Sequence, residues 1–212
     1  MFPSVMDASM MARAKEKGLL DWGCVNPRDF TEDKHHKVDD RPFGGGPGML
    51  MMAEPLAQAV KSVKKKGSKT ILLSPQGKTF NDKTALRLSK EEHLILVCGH
   101  YEGIDERLEH LFDEELSVGD FVLTGGELPA MLVADAVARL VPGVLKVDAA
   151  VSESFAAGLL DFPQYTRPRV WRGREVPEIL FSGDHAQIAE WRRTAATKAT
   201  KRKRPDLFKR VK

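Results

Sequence analysis

Short apolar runs closed by glycine or proline alternate with amphipathic stretches along the first two thirds of the chain. Thr70–Ser74 (TILLS) and Leu94–Cys98 (LILVC) are apolar at nearly every position, which predicts strands buried on both faces. Pro75-Gln76-Gly77 predicts a turn after the first, and Gly99 ends the second. Phe121–Leu123 predicts a third, short strand before Thr124-Gly125-Gly126. Helical patterns cover Val5–Lys17, Leu50–Lys65, Asn81–Ser89 and Ile104–Phe112. In Leu128–Leu140, the positions Leu132, Val133, Ala136, Val137 and Leu140 share one helical face, and Pro142-Gly143 stops the helix. Asp39–Gly48 (DDRPFGGGPG) reads as a loop. Alternating buried strands and helices predict an α/β domain with a parallel sheet covered on both faces. Val144–Arg169 has no clear period, and Asp184–Thr197 predicts a helix capped by Ser182 or Asp184. The expected organisation is a sheet domain over residues 1–145, a linker over 146–169 and a small all-helical domain over 170–212.

Composition adds little except at one end. The hydrophobic share of 42% and charged share of 30% are those of a globular protein. No apolar run approaches the roughly 20 residues of a membrane span, and no signal peptide is visible, so no membrane partner and a cytoplasmic location are expected. The two cysteines, Cys24 and Cys98, form no CxxC pair and predict neither a disulfide framework nor a zinc site. Net charge is +3, yet Arg192–Lys212 holds ten Lys or Arg against one acid, Asp206. Such an end fits either a nucleic-acid contact or a solubilising tail.

Three loops leave the carboxyl ends of the predicted strands: Ser74–Gly77, Gly99–Gly103 and Thr124–Glu127. Ligands of parallel sheets bind at those ends, and glycine lets backbone N–H and C=O groups approach them closely. A pocket lined mainly by backbone suits adenine. Neither GxGxxG after a strand nor GxxxxGK[ST] is present, which argues against a dinucleotide fold and a P-loop.

Six segments carry a resemblance: Asp39–Met49 (DDRPFGGGPGM), Leu73–Gly77 (LSPQG), Cys98–Arg107 (CGHYEGIDER), Ser117–Met131 (SVGDFVLTGGELPAM), Leu159–Pro168 (LLDFPQYTRP) and Leu180–Arg192 (LFSGDHAQIAEWR). Together, and in this order, they resemble the TrmD-type tRNA (guanine-N1)-methyltransferases. The resemblance implies a SPOUT-type fold whose parallel sheet carries a deep trefoil knot. It implies a homodimer with shared active sites, S-adenosylmethionine as methyl donor, and methylation of guanine N1 at tRNA position 37, in the anticodon stem-loop. Magnesium accompanies the family's activity, but no motif here marks a metal site. Carried over by position, the cofactor residues are Leu73, Ser74, Pro75, Gly99, Tyr101, Glu102 and Gly103. They continue with Ser117, Val118, Gly119, Asp120, Phe121, Val122, Leu123, Gly125, Gly126 and Pro129. For Val118, Phe121 and Leu123, plain core packing is the competing expectation.

Guanine N1 bears a proton, so its methylation needs a base there and positive charge near O6. Arg139 matches the family arginine at O6; an i,i+4 pair with Asp135 is the simpler reading of the same residue. The family's base is an aspartate, and Ser152-Glu153-Ser154-Phe155 puts Glu153 in its place, one methylene longer but of similar acidity. Asp161 is a second candidate, expected to be structural. The family also carries a strand before the position of Phe2-Pro3. Phosphate contacts are expected from Arg192, Arg193, Lys198, Lys201–Arg204, Lys209 and Arg210, and an RNA-facing rim from Asp39, Arg41, Gly44–Gly48, Arg167 and Arg169. Two other readings keep the fold: methylation of another RNA, and RNA binding without catalysis.

Overall fold

The computed structural model describes residues 1–145, 153–155 and 158–209. Two compact units emerge, Met1–Leu145 and Lys146–Lys212.

In the first unit, β3 (Lys69–Thr79) lies between β4 (Leu94–Cys98) and β5 (Glu114–Ser117), all parallel, in the order β4-β3-β5. Alternate residues of the apolar runs serve opposite faces, as the two-residue period of a strand requires. Ile71, Leu73 and Leu116 pack with Ala85 and Leu88 of α4 (Asp82–Leu88) and with Ala130, Val133 and Val137 of α5 (Glu127–Ala138). Leu72, Ile95 and Val97 pack with Leu56 and Val60 of α3 (Ala53–Val63) and with Leu108. The result is a mixed α/β layer structure with helices flanking a three-stranded parallel sheet.

Four sequence expectations change here. The third strand is Glu114–Ser117, not Phe121–Leu123. Glu114 and Glu115 disguise it; the Glu114 carboxylate accepts two hydrogen bonds from Arg87 Nη2, at 2.5 and 2.6 Å. Phe121 and Val122 are instead 55% and 83% exposed. The segment Ser74–Gly77 is no simple turn, because β3 runs on to Thr79. Leu116 pairs with both Leu73 and Lys78, so the four residues between fall out of register. Ile104–Phe112 yields only a 3₁₀ segment, Glu106–Leu111, which Asp105 caps through Arg107 N. Val5–Lys17 divides into α1 (Phe2–Met6) and α2 (Ser9–Glu16), whose Met6 and Met11 pack with Ala138 of α5. Ahead of the sheet, β1 (Asp39–Asp40) and β2 (Leu50–Met51) pair antiparallel and hold the ends of the glycine-rich loop.

The second unit is built on α6 (His185–Lys203), followed by α7 (Asp206–Lys209). Asp184 is the cap, accepting from the N–H groups of Ala186 and Gln187 at 3.0 Å each. These bonds, with those to Gln187 first, hold its carboxyl below the usual range. Thr200 is fully buried; its hydroxyl donates to the Ala196 carbonyl and accepts from Leu160 N–H at 2.9 Å. That bond ties the Leu159–Asp161 segment, which has no period of its own, to the helix. This unit is not all-helical: β6 (Val170–Trp171) and β7 (Arg174–Glu175) form an antiparallel hairpin around Gly173. Two residues per strand are too few for a period to show in the sequence.

Candidate active site

The chain order of β3, β4 and β5 puts the later strands on opposite sides of β3. Connections leaving neighbouring strands in opposite directions open a crevice at their carboxyl ends. The loops after all three strands meet there. Gly126 N–H donates to the Gly99 carbonyl at 2.8 Å, and His100 bridges Gly125. Phe80 N–H donates to the Ser117 carbonyl at 2.7 Å. Among the residues expected to line a cofactor pocket, Leu73–Pro75, Gly99, Tyr101–Gly103, Ser117–Leu123, Gly125 and Gly126 therefore share one edge of the sheet, with Pro129 in the first turn of α5.

Glycine is demanded here by closeness rather than by flexibility. A Cβ on Gly77 would lie 2.5 Å from the Glu115–Leu116 peptide, and one on Gly126 would lie 2.6 Å from Cys98 Cα. Both contacts are with backbone, which cannot swing aside. The loops are also pinned from the side: Glu102 N–H donates to the Met49 carbonyl at 3.0 Å, and Met51 N–H donates to the Gly103 carbonyl at 2.9 Å. Thus the glycine-rich loop ends against the Gly99–Gly103 loop, and Gly48, at φ +82, lies against the Glu102 side chain.

Polar side chains at this edge are few. Ser117 Oγ donates to the Gly119 carbonyl and accepts from Gly119 N–H, closing a tight local turn. Tyr101 adopts φ +60, packs edge-on to His100, and accepts at its hydroxyl from Arg28 Nη2 at 3.2 Å. His100 Nδ1 lies 3.4 Å from Glu127 Oε1, an ion pair whenever the imidazole is protonated. Arg28, His100 and Glu127 escape a sequence reading because their partners are set by tertiary contact, 73 residues away for Arg28 and Tyr101. Cys98, at the end of β4, has its thiol pushed up to about 12, chiefly by burial and then by the Glu127 carboxylate and Cys24. It stays a neutral thiol near neutral pH, so it supplies no thiolate nucleophile.

The two candidate catalytic side chains belong to different units. Arg139 caps the far end of α5. At 1.5 Å per residue it lies about 20 Å along the axis from Gly126. Glu153 belongs to the second unit. Its neighbour Ser154 accepts at Oγ from Asp161 N–H at 2.9 Å, so the two candidate bases sit on adjoining segments. Asp161 already accepts from Phe162 N–H at 2.7 Å and Gln164 Nε2 at 2.6 Å, a structural role. Ser152 and Arg210 lie outside the described residues. Among the described residues no three His, Cys, Asp or Glu side chains converge, so no magnesium site is assigned. No helix among them is long and apolar enough to cross a membrane.

Along α6, Arg193, Thr194, Thr197, Lys198, Lys201 and Arg202 recur at helical spacing and form one stripe of the helix. Lys198, Lys201 and Arg202 thereby present their charge on one face.

Comparison with known proteins agrees with this arrangement. Residues 1–210 match the family model described as tRNA (Guanine-1)-methyltransferase TrmD. A tRNA (guanine-N(1)-)-methyltransferase of Dictyoglomus turgidum is 54% identical over all of this chain and 86% of its own length. Its namesake in Moorella thermoacetica is 55% identical over all of this chain and 87% of its own length. That of Mycoplasmopsis synoviae is 48% identical over all of this chain and 93% of its own length. The sheet, its glycine-bearing carboxyl edge and the match from end to end lead to one conclusion: this chain belongs to the tRNA (guanine-1)-methyltransferase family.

Proposed function

We propose that this chain methylates N1 of the guanine at position 37 of tRNA, in the anticodon loop. The carrying observation is the meeting of three glycine-bearing loops at one edge of a parallel sheet, in a chain that matches the family almost throughout. Gly77 and Gly126 let the loops pack directly on neighbouring backbone, which leaves main-chain groups lining this edge and fits a cofactor held by backbone. S-adenosylmethionine supplies, when bound there, a methyl group already activated on a sulfonium. Leu73–Pro75, Gly99, Tyr101–Gly103, Ser117–Leu123, Gly125, Gly126 and Pro129 hold it. Family membership supports a trefoil-knotted sheet around them.

The protein's own chemistry is then positioning and proton transfer. Glu153 takes the proton from guanine N1, and Arg139 neutralises the charge that grows on O6. The span between Arg139 and the glycine edge supports a homodimer in which each site draws on both chains. Leu128 and Leu132, one turn apart on α5 and each 50% exposed, offer an apolar face for the second copy. The basic face of α6 supports phosphate contacts from the second unit.

Methyl transfer to unmodified tRNA carrying guanine or adenine at position 37 tests the reading. Methylation of the guanine transcript alone is expected. Equal methylation of both, or intact tRNA and cofactor binding without methylation, refutes it.

A further inference from the structure

The second unit contains a cleft of about 470 Å³, within the range of small-ligand sites, that brings together three arginines otherwise expected only to touch RNA phosphates or an RNA-facing rim. Val176, Leu180 and Ile188 give it an apolar base, and Arg167, Arg169 and Arg192 line it. Two of these arginines already lie over aromatic rings. The Arg169 guanidinium sits 4.6 Å from the centre of the Phe181 ring, and that of Arg192 sits 4.8 Å from the centre of the Phe162 ring. A ring beneath a guanidinium fixes its plane and leaves the opposite face and the N–H edge available. Among the described residues, the one carboxylate paired with the three arginines is Glu178, which accepts from Arg169 Nη2 at 3.3 Å. Glu178 is itself 92% exposed, so this pair is weak and easily exchanged.

Planar guanidinium groups beside apolar side chains, with three positive charges and one loosely held acid, match a ligand that is planar and anionic. An unpaired RNA nucleotide is both: its base stacks on guanidinium or aromatic faces, and its phosphate takes guanidinium N–H bonds in pairs. We propose that this arginine–aromatic cleft is a subsite for one unstacked nucleotide of the RNA substrate other than the methylated guanine. The proposal rests on the tRNA reading above. It gives Phe162 and Phe181 the task of orienting Arg192 and Arg169, and gives the second unit a contact beyond phosphate attraction along α6.

Binding of a labelled tRNA transcript to the full chain, measured across a salt series, tests this. Arg169→Gln with Arg192→Gln is expected to weaken tRNA binding by about tenfold or more and to flatten the salt slope by about two ion equivalents. Phe162→Leu keeps the charge and is expected to cost about five- to tenfold with the slope unchanged, through lost orientation and stacking. S-adenosylmethionine affinity is expected to stay unchanged in all of them. Arg172→Gln with Arg174→Gln, in the same unit and of equal charge, is the control. An equal loss in the control, or wild-type affinity and slope in Arg169→Gln with Arg192→Gln, overturns the subsite. Displacement of tRNA by an acidic peptide but not by a short single-stranded RNA overturns it also. If the wild-type chain methylates guanine in tRNA while these variants bind normally, only the subsite fails. If the wild-type chain neither binds nor methylates tRNA, the reading beneath it fails too.

Discussion

The two units offer ligand surfaces made of opposite materials. At the carboxyl edge of the sheet in Met1–Leu145 the surface is largely backbone, with Gly77 and Gly126 packed so closely on neighbouring main chain that side chains are excluded. In Lys146–Lys212 it is side chain, with Arg167, Arg169 and Arg192 over an apolar cleft and Lys198, Lys201 and Arg202 along α6. A backbone surface tolerates no substitution where the chain folds against itself. A side-chain surface loses binding in increments, each arginine removing one set of contacts. The first suits a ligand of one fixed shape, and the second suits a long polyanion gripped at several points.

The largest expected effect would put chemistry, and not only grip, into the second unit. Glu153→Gln is expected to lower methyl transfer by about 10²–10⁴-fold with cofactor affinity unchanged, the usual weight of a general base. Full activity in single-turnover assays would leave that unit with binding alone. Next comes the backbone edge. Gly126→Val forces a side chain onto the Cys98–Gly99 backbone and is expected to cost toward the upper end of about 1–3 kcal/mol. Thermal unfolding checks this, at about 2–4 °C per kcal/mol for a chain of this size. A melting temperature equal to wild type would mean the loops have room to spread.

Thr200→Val sharpens the contrast from the other side. It strands the Leu160 N–H that the Thr200 hydroxyl now accepts from, at an expected cost of about 1–2 kcal/mol. Faster amide exchange confined to Leu159–Asp161 and α6 is the expected signature, and exchange spreading evenly into the sheet would contradict it. The smallest effect is electrostatic. Hydrogen bonds from the Arg107 side chain, then from its N–H, hold the Asp105 carboxyl at about 2. A carboxyl depressed in the folded state stabilises fully above its unfolded value near 3.9 and loses that contribution as pH falls toward 2. The stability gap between wild type and Asp105→Asn is therefore expected to close over that window in acid melts.

Much of this was legible before any coordinates. The apolar runs at Thr70–Ser74 and Leu94–Cys98 announced buried strands, because a strand covered on both faces has no polar positions to interrupt it. Asp184 was readable as one of two caps, with Ser182, since a carboxylate before a helix finds free N–H groups to accept from. Glu114–Ser117 was not readable, because two acids open it and the partner that serves Glu114, Arg87, is distant in sequence. The exposed Phe121–Leu123 took its place for the opposite reason: apolar residues left uncovered look like core to any local pattern.

By itself the sequence determined the layered α/β plan, the glycine-bearing loops, the basic end and the family. Those follow from local periodicity, from residues with special backbone freedom, and from long motifs. Only the tertiary structure decided that the three loops share one edge, because the order β4-β3-β5 is set by which strands pair, not by any one strand. Likewise, the close approach that makes Gly126 irreplaceable, and the stacking of Arg169 and Arg192 on phenylalanine rings, exist only once distant segments meet.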